Sequence, residues 1–554
     1  MIKSIMKRDG RVVLYDESKI ASAILKALEA AREGDASVAA QVANSVEARL
    51  EELCGDGTPR IEQIQDTVEQ ELMRAGCEEA AKQYILYRAE RTRIREAKTS
   101  LMKSIDEITN VDARLSDMKR DNANIDGNTA MGSMLQIGTA GAKAYNAAYL
   151  LTPAQAKAYT EGDIHIHDFD FYALTTTCCQ IDLLKLFHGG FSTGHGYLRE
   201  PQGIASYAAL AAIAIQSNQN DQHGGQGVPN FDYAMAEGVR KTFAKLYQSG
   251  LQDALEDVLD TDDETALVQA AVEAGRQATG DSDVRLETHA ATFDDAAAKA
   301  IAATGRLDAG KAAHLVAHAR RRATAKTDRE TYQAMEGFVH NLNTMHSRAG
   351  AQTPFSSINY GTDTSPEGRM AIRNILLAED AGLGHGETPI FPIHIFKVKE
   401  GVNYNPGDPN YDLFELSCKV SAKRLFPNYV FLDSPFNLQY YKPGHPETEV
   451  ATMGCRTRVM GNVYDPQRQI AYSRGNLSFT SINMPRLAIE SHGDEALFYK
   501  KLDDMMELVA QQLLDRFEIQ ASKRVYNYPF LMGQGVWLDS DKLGPNDEVR
   551  EVLK

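Results

Sequence analysis

Apolar segments of strand length alternate with longer helical segments through the C-terminal part of the sequence, and this alternation constrains the fold most. The strand segments are rich in β-branched and aromatic residues and span 355–361, 389–398, 429–433 and 478–483. The helical segments span 367–379, 412–425 and 494–516. Strands that alternate with helices form a sheet covered by helices, so the sequence predicts an α/β core. Because three strand segments lead into loops containing Asn or Asp, we expect a ligand site at the carboxyl ends of the strands.

Two adjacent cysteines lie in a segment that predicts a buried strand. Residues 162–183 read GDIHIHDFDFYALTTTCCQIDL, so Cys178 and Cys179 have aromatic and β-branched residues nearby on the chain. A thiol on a buried strand has little water around it, which suits chemistry that water would quench. The alternative is that both cysteines are ordinary core residues, since a free cysteine packs as a small hydrophobe.

Two later motifs favour a reactive thiol over an ordinary core cysteine. Cys455 is a single cysteine beside a glycine in Met-Gly-Cys-Arg, and Asn476 follows in Arg-Gly-Asn-Leu. An amide such as Asn476 donates and accepts hydrogen bonds without adding a competing acid. His165 and His167, in the His-x-His-Asp motif ahead of the two cysteines, are further site candidates, and the alternative for them is a purely structural turn.

Net charge and cysteine usage exclude several classes of function. The sequence has 554 residues and a formal net charge of −17, from 59 basic and 76 acidic residues. This balance argues against a general nucleic-acid or membrane-surface binder, and no apolar run is long enough to cross a bilayer. The six cysteines form no Cys-x-x-Cys motif, so we expect reduced thiols and no metal site in this sequence. A cytoplasmic protein is the resulting expectation.

The chain divides into three regions by pattern. Residues 1–95 predict a small domain, in which a β-hairpin with a charged turn precedes four helices. Residues 96–150 predict a polar linker with the first helices, and residues 151–554 predict the main α/β domain. Within that domain, the Ala-rich and charged stretch 249–330 predicts a helical insertion outside the main core.

The N-terminal region resembles the ATP-cone, an allosteric nucleotide-binding domain. The matching motifs are Lys7-Arg8-Asp9-Gly10, Lys19-Ile20, IQDTVE at 64–69 and Tyr84-x-x-Tyr87-Arg88. The resemblance implies that ATP or dATP binds here, with Lys7, Arg8 and Lys19 on the phosphates, Gly10 in the turn and Gln65 near the nucleotide. Cations at a tight turn beside a helix start suit a triphosphate on physical grounds as well. The alternative is a solvated hairpin turn.

The rest of the chain, apart from 249–330, resembles the large subunit of the anaerobic (class III) ribonucleoside-triphosphate reductases. The matching motifs are GDIHIHD at 162–168, CCQIDL at 178–183, SRAGAQTPFSSIN at 347–359, MGCR at 453–456 and GNLSFTSINMPR at 475–486. The resemblance implies a ten-stranded α/β barrel with a central finger loop. It also implies a homodimer, or a tetramer when dATP is bound, and a radical-SAM activase as partner.

The same resemblance assigns roles to the candidate residues. Cys178 would form the thiyl radical, with Cys179 as the alternative, and Cys455 would be the second thiol. Asn476 would bind formate or the 2′ oxygen of the ribonucleoside triphosphate, and formate would be the reductant. His165 and His167 would orient the substrate or the thiol strand. Ser357 and Ser481, taken as loop residues after strands, are candidate phosphate contacts, with Mg²⁺ accompanying the nucleotides.

The family pattern also includes a four-cysteine zinc site and a glycyl-radical loop, which we expect to lie beyond Lys554. Three other functions remain open from the sequence. One is another glycyl-radical enzyme, which would have no reason to carry an ATP-cone. The second is a catalytically silent form whose nucleotides set its assembly. The third is an adenosylcobalamin-dependent reductase, which would need no activase.

Overall fold

The computed structural model describes residues 2–7, 11–55, 57–117, 119, 122, 124–348, 350–454 and 457–553, without the side chains of 93 and 95–100. The chain forms two compact units, residues 1–105 with 147–156, and residues 106–146 with 157–554. Among the described residues, no helix combines the length and the apolar character needed to span a bilayer. The domain limits expected from the sequence remain a prediction.

The first unit begins with a β-hairpin that leads into helices. Strands β1 (Ser4–Met6) and β2 (Val12–Leu14) pair antiparallel, with Ile5 opposite Val13. The helices that follow are α1 (Glu17–Ala31), α2 (Ala36–Cys54), α3 (Ile61–Arg74) and α4 (Glu78–Asn110). Apolar residues three or four positions apart on each helix, such as Ile24 and Leu28, build one common core. The hairpin and helices expected from the sequence are therefore observed, although α4 continues to Asn110, into the stretch expected to be a linker.

The remaining elements follow in chain order. The helices are α5 (Ala130–Tyr145), α6 (Pro153–Glu161), α7 (Leu183–Phe187), α8 (Ile204–Asp221), α9 (Phe231–Leu259), α10 (Thr265–Thr279), α11 (Ala290–Ala302), α12 (Ala309–Thr344), α13 (Pro366–Ala381), α14 (Tyr411–Arg424), α15 (Pro435–Leu438), α16 (Met484–Glu490) and α17 (Glu495–Ala521). The strands are β3 (Ile164–Ile166), β4 (Cys178–Gln180), β5 (Phe191–Ser192), β6 (Tyr197–Leu198), β7 (Gln226–Val228), β8 (Ser356–Tyr360), β9 (Ile393–Val398), β10 (Asn428–Phe431), β11 (Ala451–Thr452), β12 (Arg458–Val459), β13 (Gly475–Asn476) and β14 (Thr480–Ile482).

A six-stranded sheet forms the centre of the second unit. Its order is β10-β9-β8-β7-β4-β13, and β13 alone runs antiparallel to its neighbour. This is the α/β core expected from the sequence, and the further strands of a ten-stranded barrel remain a prediction. The segment expected as a fourth core strand, 478–483, instead forms β14 and pairs with β3 in a separate two-stranded sheet.

A hairpin lies against one face of the six-stranded sheet. Strands β11 and β12 pair antiparallel, and we call residues 449–459 the finger hairpin, of which 449–454 and 457–459 are described. Asn359 of β8 donates through Nδ2 to the carbonyl oxygen of Thr452 (2.9 Å) and accepts from the Thr452 N–H at Oδ1 (2.9 Å). Lys397 of β9 donates to Glu449 Oε2 (2.8 Å), and its side chain is fully buried. These polar contacts fix the hairpin on the sheet.

The stretch 249–330 is helical, as expected from its composition. It comprises α10, α11 and parts of α9 and α12, which share a second apolar core. Arg285 joins this stretch to α13 through a two-pronged ion pair with Glu367 (3.0 and 3.2 Å).

A row of three buried polar side chains lies between the sheet and the helices that cover it. The hydroxyl of Tyr360 lies 3.0 Å from His394 Nδ1, and His394 Nε2 lies 3.5 Å from Glu379 Oε2. Burial raises the pKa of Glu379 to about 8, although Arg424 opposes the shift, and burial lowers the pKa of His394 to about 3. Both side chains are therefore held neutral at pH 7.

The substitution Glu379→Gln tests this arrangement. A carboxyl whose pKa is raised by folding contributes stability that is complete below the ordinary pKa of 4.5 and is lost as pH rises through about 8. The free energy of unfolding should fall by up to about 1.4 kcal/mol per pH unit across that window in the wild type. In E379Q, which cannot ionise there, calorimetry at pH 6 and pH 8.5 should show a smaller drop in melting temperature. The exposed Glu330→Gln change is the matched control, and an equal drop in E379Q and wild type would contradict the interpretation.

Candidate active site

A cavity of about 370 Å³ lies beside Cys178 in the second unit. Its wall includes the residues just ahead of β7 and β8, namely Gly224, Gly225 and Phe355, and Cys178 is the first residue of β4. The cavity therefore lies at the amino ends of the parallel strands, and the expectation of a site at their carboxyl ends is wrong for this cavity. The physical reason is the finger hairpin. Glu449 fills the carboxyl end by accepting from Lys397 of β9 and from Thr362 just after β8.

Cys178 has a defined, nearly dry environment on the cavity wall. Its exposed fraction is 2%, and the N–H of Gly225 donates to its Sγ at 3.2 Å. A side chain at Gly224 would overlap the Thr177 carbonyl oxygen and would place its Cβ 2.7 Å from Cys178 Sγ. Glycine at position 224 is therefore what permits the loop to approach the sulfur.

The two adjacent cysteines have different surroundings. Cys178 lines the cavity and packs with Met453 and Val459 of the finger hairpin. Cys179 is fully buried in the main apolar core, and burial raises the pKa of its thiol far above the ordinary value. Successive side chains on a strand point to opposite faces, which explains the difference. Cys178 is the one of the two that a ligand in the cavity can reach.

Asn476 lies on the strand beside Cys178. The two residues are direct partners in the β4–β13 pairing, although they are far apart in sequence. A Cβ at Gly475 would overlap the carbonyl oxygen of Cys178, so glycine allows this close strand pairing. The arrangement brings the candidate amide next to the candidate thiol.

Cys455 lies outside the described residues, as does Arg456, but Met453, Gly454 and Thr457 are described. Met453 is fully buried and packs on Cys178, and its N–H donates to the Thr457 carbonyl (2.9 Å). A Cβ at Gly454 would lie 3.0 Å from the Phe355 ring and 3.1 Å from Ile393. The part of the finger hairpin that precedes Cys455 therefore contacts the strands and loops around Cys178.

His165 in β3 and His167, the first residue after that strand, both line the cavity. Their rings meet edge to face at 4.7 Å, and the His167 ring packs against Phe479 at 3.9 Å with a tilt of 36°. Burial and the neighbouring His165 lower the pKa of His167, against the opposing effect of Asp168. A neutral imidazole at pH 7 offers hydrogen bonds rather than a positive charge.

The two candidate serines lie within the strands expected at 355–361 and 478–483, not in the loops that follow those strands. Ser357 is fully buried in β8, where it pairs with Gly227 and Ile393, and its hydroxyl has no partner among the described atoms. Ser481 is exposed in β14, opposite His165, and its Oγ lies 3.3 Å from His167 Nε2. Both segments continue as strands because a neighbouring strand satisfies their backbone groups.

Three polar residues that sequence reasoning did not single out lie at or behind the same wall. Asp168 Oδ1 lies 3.0 Å from His223 Nε2, and His223 Nδ1 lies 2.9 Å from Arg348 Nη1. Burial raises the pKa of Asp168, but His223 and Arg516 outweigh it, so the pKa is lowered overall. Burial lowers the pKa of Arg348 to about 10, which still leaves it charged. Asp168 and Arg348 lie within motifs already noted, but the contacts of the three residues join segments remote in sequence.

Only some of the candidate nucleotide-binding residues of the first unit are among the described residues. Lys7 is exposed at the hairpin turn, where its N–H donates to the Arg11 carbonyl (2.8 Å), whereas Arg8 and Gly10 lie outside the described residues. Lys19 is exposed in the first turn of α1 and forms a surface ion pair with Asp16 (3.2 Å). Gln65 is half-buried on α3. Within the described part of the chain, no three His, Cys, Asp or Glu side chains are grouped so as to hold a metal ion.

Profiles of two known families match the chain. The profile of the anaerobic ribonucleoside-triphosphate reductases matches residues 121–554, and that of the ATP cone domain matches residues 3–93. The anaerobic ribonucleoside-triphosphate reductase of Escherichia coli K12 is 28% identical over 557 residues, covering 100% of this chain and 68% of that protein. The enzyme of the same name from phage T4 is 26% identical over 405 residues, covering 72% of this chain and 56% of that protein.

A comparison with solved structures found an anaerobic ribonucleotide reductase, at 13% identity and a TM-score of 0.48 over 81% of this chain and 59% of that one. The Thermotoga maritima anaerobic ribonucleotide reductase in complex with dATP and CTP gives 14% identity and a TM-score of 0.48, covering 81% and 65%. The chain thus spans about two thirds or less of these relatives. With a family profile matched over residues 121–554, the chain belongs to the anaerobic ribonucleoside-triphosphate reductase family.

Proposed function

We propose that the protein containing this chain reduces ribonucleoside triphosphates to 2′-deoxyribonucleoside triphosphates under anaerobic conditions, with Cys178 as the reacting thiol. One observation carries the proposal. Cys178 is a nearly buried thiol on the wall of a cavity, paired across strands with Asn476 and packed against Met453, two residues before Cys455. A thiol that is almost fully removed from solvent suits radical chemistry, because competing reactants are kept from the sulfur.

The proposed reaction divides the hydrogen transfers to and from the ribose between the two thiols. A radical formed outside this sequence takes the hydrogen of the Cys178 thiol, and the resulting thiyl radical takes the 3′ hydrogen of the ribose. The 2′ hydroxyl then leaves as water after gaining a proton. Cys455 delivers a hydrogen atom to C2′, and Cys178 returns the hydrogen to C3′. Formate restores the Cys455 thiol by giving it a hydrogen atom, and its remaining electron, with a proton, reduces the 3′ carbonyl left by the loss of water before Cys178 returns its hydrogen. Formate is released as carbon dioxide, so the sum is formate, a proton and ribonucleotide giving deoxyribonucleotide, water and carbon dioxide.

The remaining residues of the site would bind and orient the substrate and formate. Asn476, beside Cys178 on β13, would hold formate or the 2′ oxygen through its amide. His165 and His167 line the cavity and would hydrogen-bond the substrate, while Ser481 orients His167. Ser357 is fully buried in β8, its hydroxyl has no partner among the described atoms, and it would be a further contact for phosphate.

The N-terminal unit would regulate the reaction. Its family match supports nucleotide effector binding, and we assign the phosphates to Lys7, Arg8 and Lys19, with Gly10 in the turn and Gln65 near the nucleotide. ATP would activate and dATP would inhibit, each bound with Mg²⁺. The active form would be a homodimer, with a tetramer in dATP. A radical-SAM activase, a glycyl radical and a structural zinc site would complete the enzyme outside this sequence.

A second candidate is an adenosylcobalamin-dependent reductase. A vitamin B12-dependent ribonucleoside-diphosphate reductase from Thermoplasma acidophilum is 43% identical over 103 residues, although these cover only 18% of this chain. Turnover with adenosylcobalamin and without an activase would favour this candidate over the first.

Substitution of the two adjacent cysteines tests the assignment of the reacting thiol. In the full-length protein with its activase, CTP and formate, Cys178→Ser should form no deoxynucleotide above background. Cys179→Ala should keep turnover, because it removes a small buried group at a cost of about 1 kcal/mol of stability. Anaerobic measurement of dCTP formation checks both. Turnover by C178S, or its loss in C179A alone, would contradict the assignment.

The effector role of the N-terminal unit has a separate test. With ATP the same assay should show activation, and with dATP it should show inhibition. Lys19→Ala should weaken both effects without changing the basal rate, since Lys19 lies in the first unit and the cavity lies in the second. The exposed Lys26→Ala change on the same helix is the control. Equal rates with both nucleotides would refute the regulatory proposal.

A further inference from the structure

The turn behind the Cys178 sulfur is held by one histidine. Residues 222–225 connect α8 to β7, and Gly225 in this turn donates its N–H to Cys178 Sγ at 3.2 Å. His223 immediately precedes the two glycines that contact the sulfur. The position of the Gly225 N–H therefore depends on where the ring of His223 is anchored.

Both ring nitrogens of His223 have charged partners. Arg348 Nη1 lies 2.9 Å from Nδ1, and a guanidinium can only donate, so Nδ1 must accept. The proton of the neutral ring then lies on Nε2, which donates to Asp168 Oδ1 at 3.0 Å. The two partners thus select one neutral tautomer. They also leave His223 with no free lone pair, which excludes it as a general base.

The two partners of His223 are themselves fixed. Arg348 donates to the carbonyl oxygens of Gln219 (2.8 Å) and Gln222 (3.0 Å), at the end of α8 and the start of the turn. Asp168 follows β3 and has a φ of 51°, in the left-handed region that non-glycine residues seldom adopt. The backbone turns at this residue, and the turn sets the direction of its carboxylate. Phe171 stacks on the His223 ring at 4.1 Å and 20°. The imidazole is therefore held on its edges and on one face.

We infer that His223 is a positioning residue for Cys178. Asp168 and Arg348 lock its imidazole, and the locked imidazole sets the Gly224–Gly225 backbone so that one N–H points at the sulfur. The catalytic meaning of this inference rests on the proposed function, because it assumes that Cys178 is the reacting thiol. The geometric claim concerns the resting protein and can be tested without turnover.

Alkylation of Cys178 by iodoacetamide provides the test. The thiolate is the nucleophile, and an N–H donor stabilises the thiolate relative to the thiol. The ratio of the alkylation rate at pH 10.5 to that at pH 7 therefore reports this hydrogen bond, while changes in reagent access cancel, because the higher pH lies well above the ordinary thiol pKa of about 8.5. Peptide mass spectrometry on the intact chain follows Cys178, and the fully buried Cys179 serves as internal control.

His223→Gln and His223→Met form a matched pair of nearly equal volume. The glutamine amide can still donate to Asp168, whereas methionine cannot. We expect the rate ratio to rise at least about threefold in H223M, because one charge-assisted hydrogen bond is released, and to stay near the wild-type value in H223Q. His223→Phe, which keeps the stacking on Phe171, replaces H223M if that variant does not fold. The exposed His195→Phe change is the control and should leave the ratio unchanged.

Two outcomes would overturn the inference. An unchanged ratio in H223M or H223F would show that the ring does not position the N–H. An equal rise in H223M and H223Q would show that side-chain shape, not hydrogen bonding, is what matters. Neither outcome bears on the proposed function, which fails instead if Cys178→Ser retains turnover.

Discussion

The amide of Asn359 is the contact on which the rest of the site depends. It pairs in both directions with the backbone of Thr452, and its Nδ2 also donates to the Val228 carbonyl (3.1 Å). A hairpin placed against the inside of a sheet has backbone groups that water cannot reach, and each unpaired group would cost about 1–3 kcal/mol. Asn359 satisfies both groups of Thr452 at once. Lys397 and Glu449 add a buried ion pair at the other end of the hairpin.

The position of the hairpin determines where a ligand can bind. Its first residues occupy the carboxyl ends of β8 and β9, and Met453 reaches Cys178 at the amino end of β4. The open space is thus at the amino ends of the strands, beside the thiol. Glycines at 224 and 475 let two more backbone segments approach Cys178 closely. A sulfur enclosed in this way is reachable from the cavity and shielded elsewhere.

Local sequence patterns predicted the elements well. The helices of the first unit, strands β8 to β10 and the burial of the Cys178 strand follow from periodicity and from β-branched composition. The roles proposed for Cys178, Cys455 and Asn476 came from resemblance, not from pattern. The structure places Cys178 next to Asn476 and next to the described neighbours of Cys455.

Long-range contacts could not be predicted from local pattern. The pairing of β13 with β4 joins segments about 300 residues apart, and a two-residue strand carries almost no periodic signal. The placement of Ser357 and Ser481 in loops after strands is wrong, because neighbouring strands pair with both residues. The contacts of His223 were missed because Asp168 and Arg348 come from remote segments.

The central claim is that the finger hairpin brings Cys455 and Cys178 to one site. A short bifunctional thiol reagent such as dibromobimane, applied to the intact chain and followed by peptide mapping, tests this most directly. The account predicts a cross-link between the peptides of Cys178 and Cys455 in the wild type, and a marked loss of that cross-link in Asn359→Ala, with no loss in the exposed control Asn220→Ala. Single modification of each thiol without any cross-link in the wild type would contradict it.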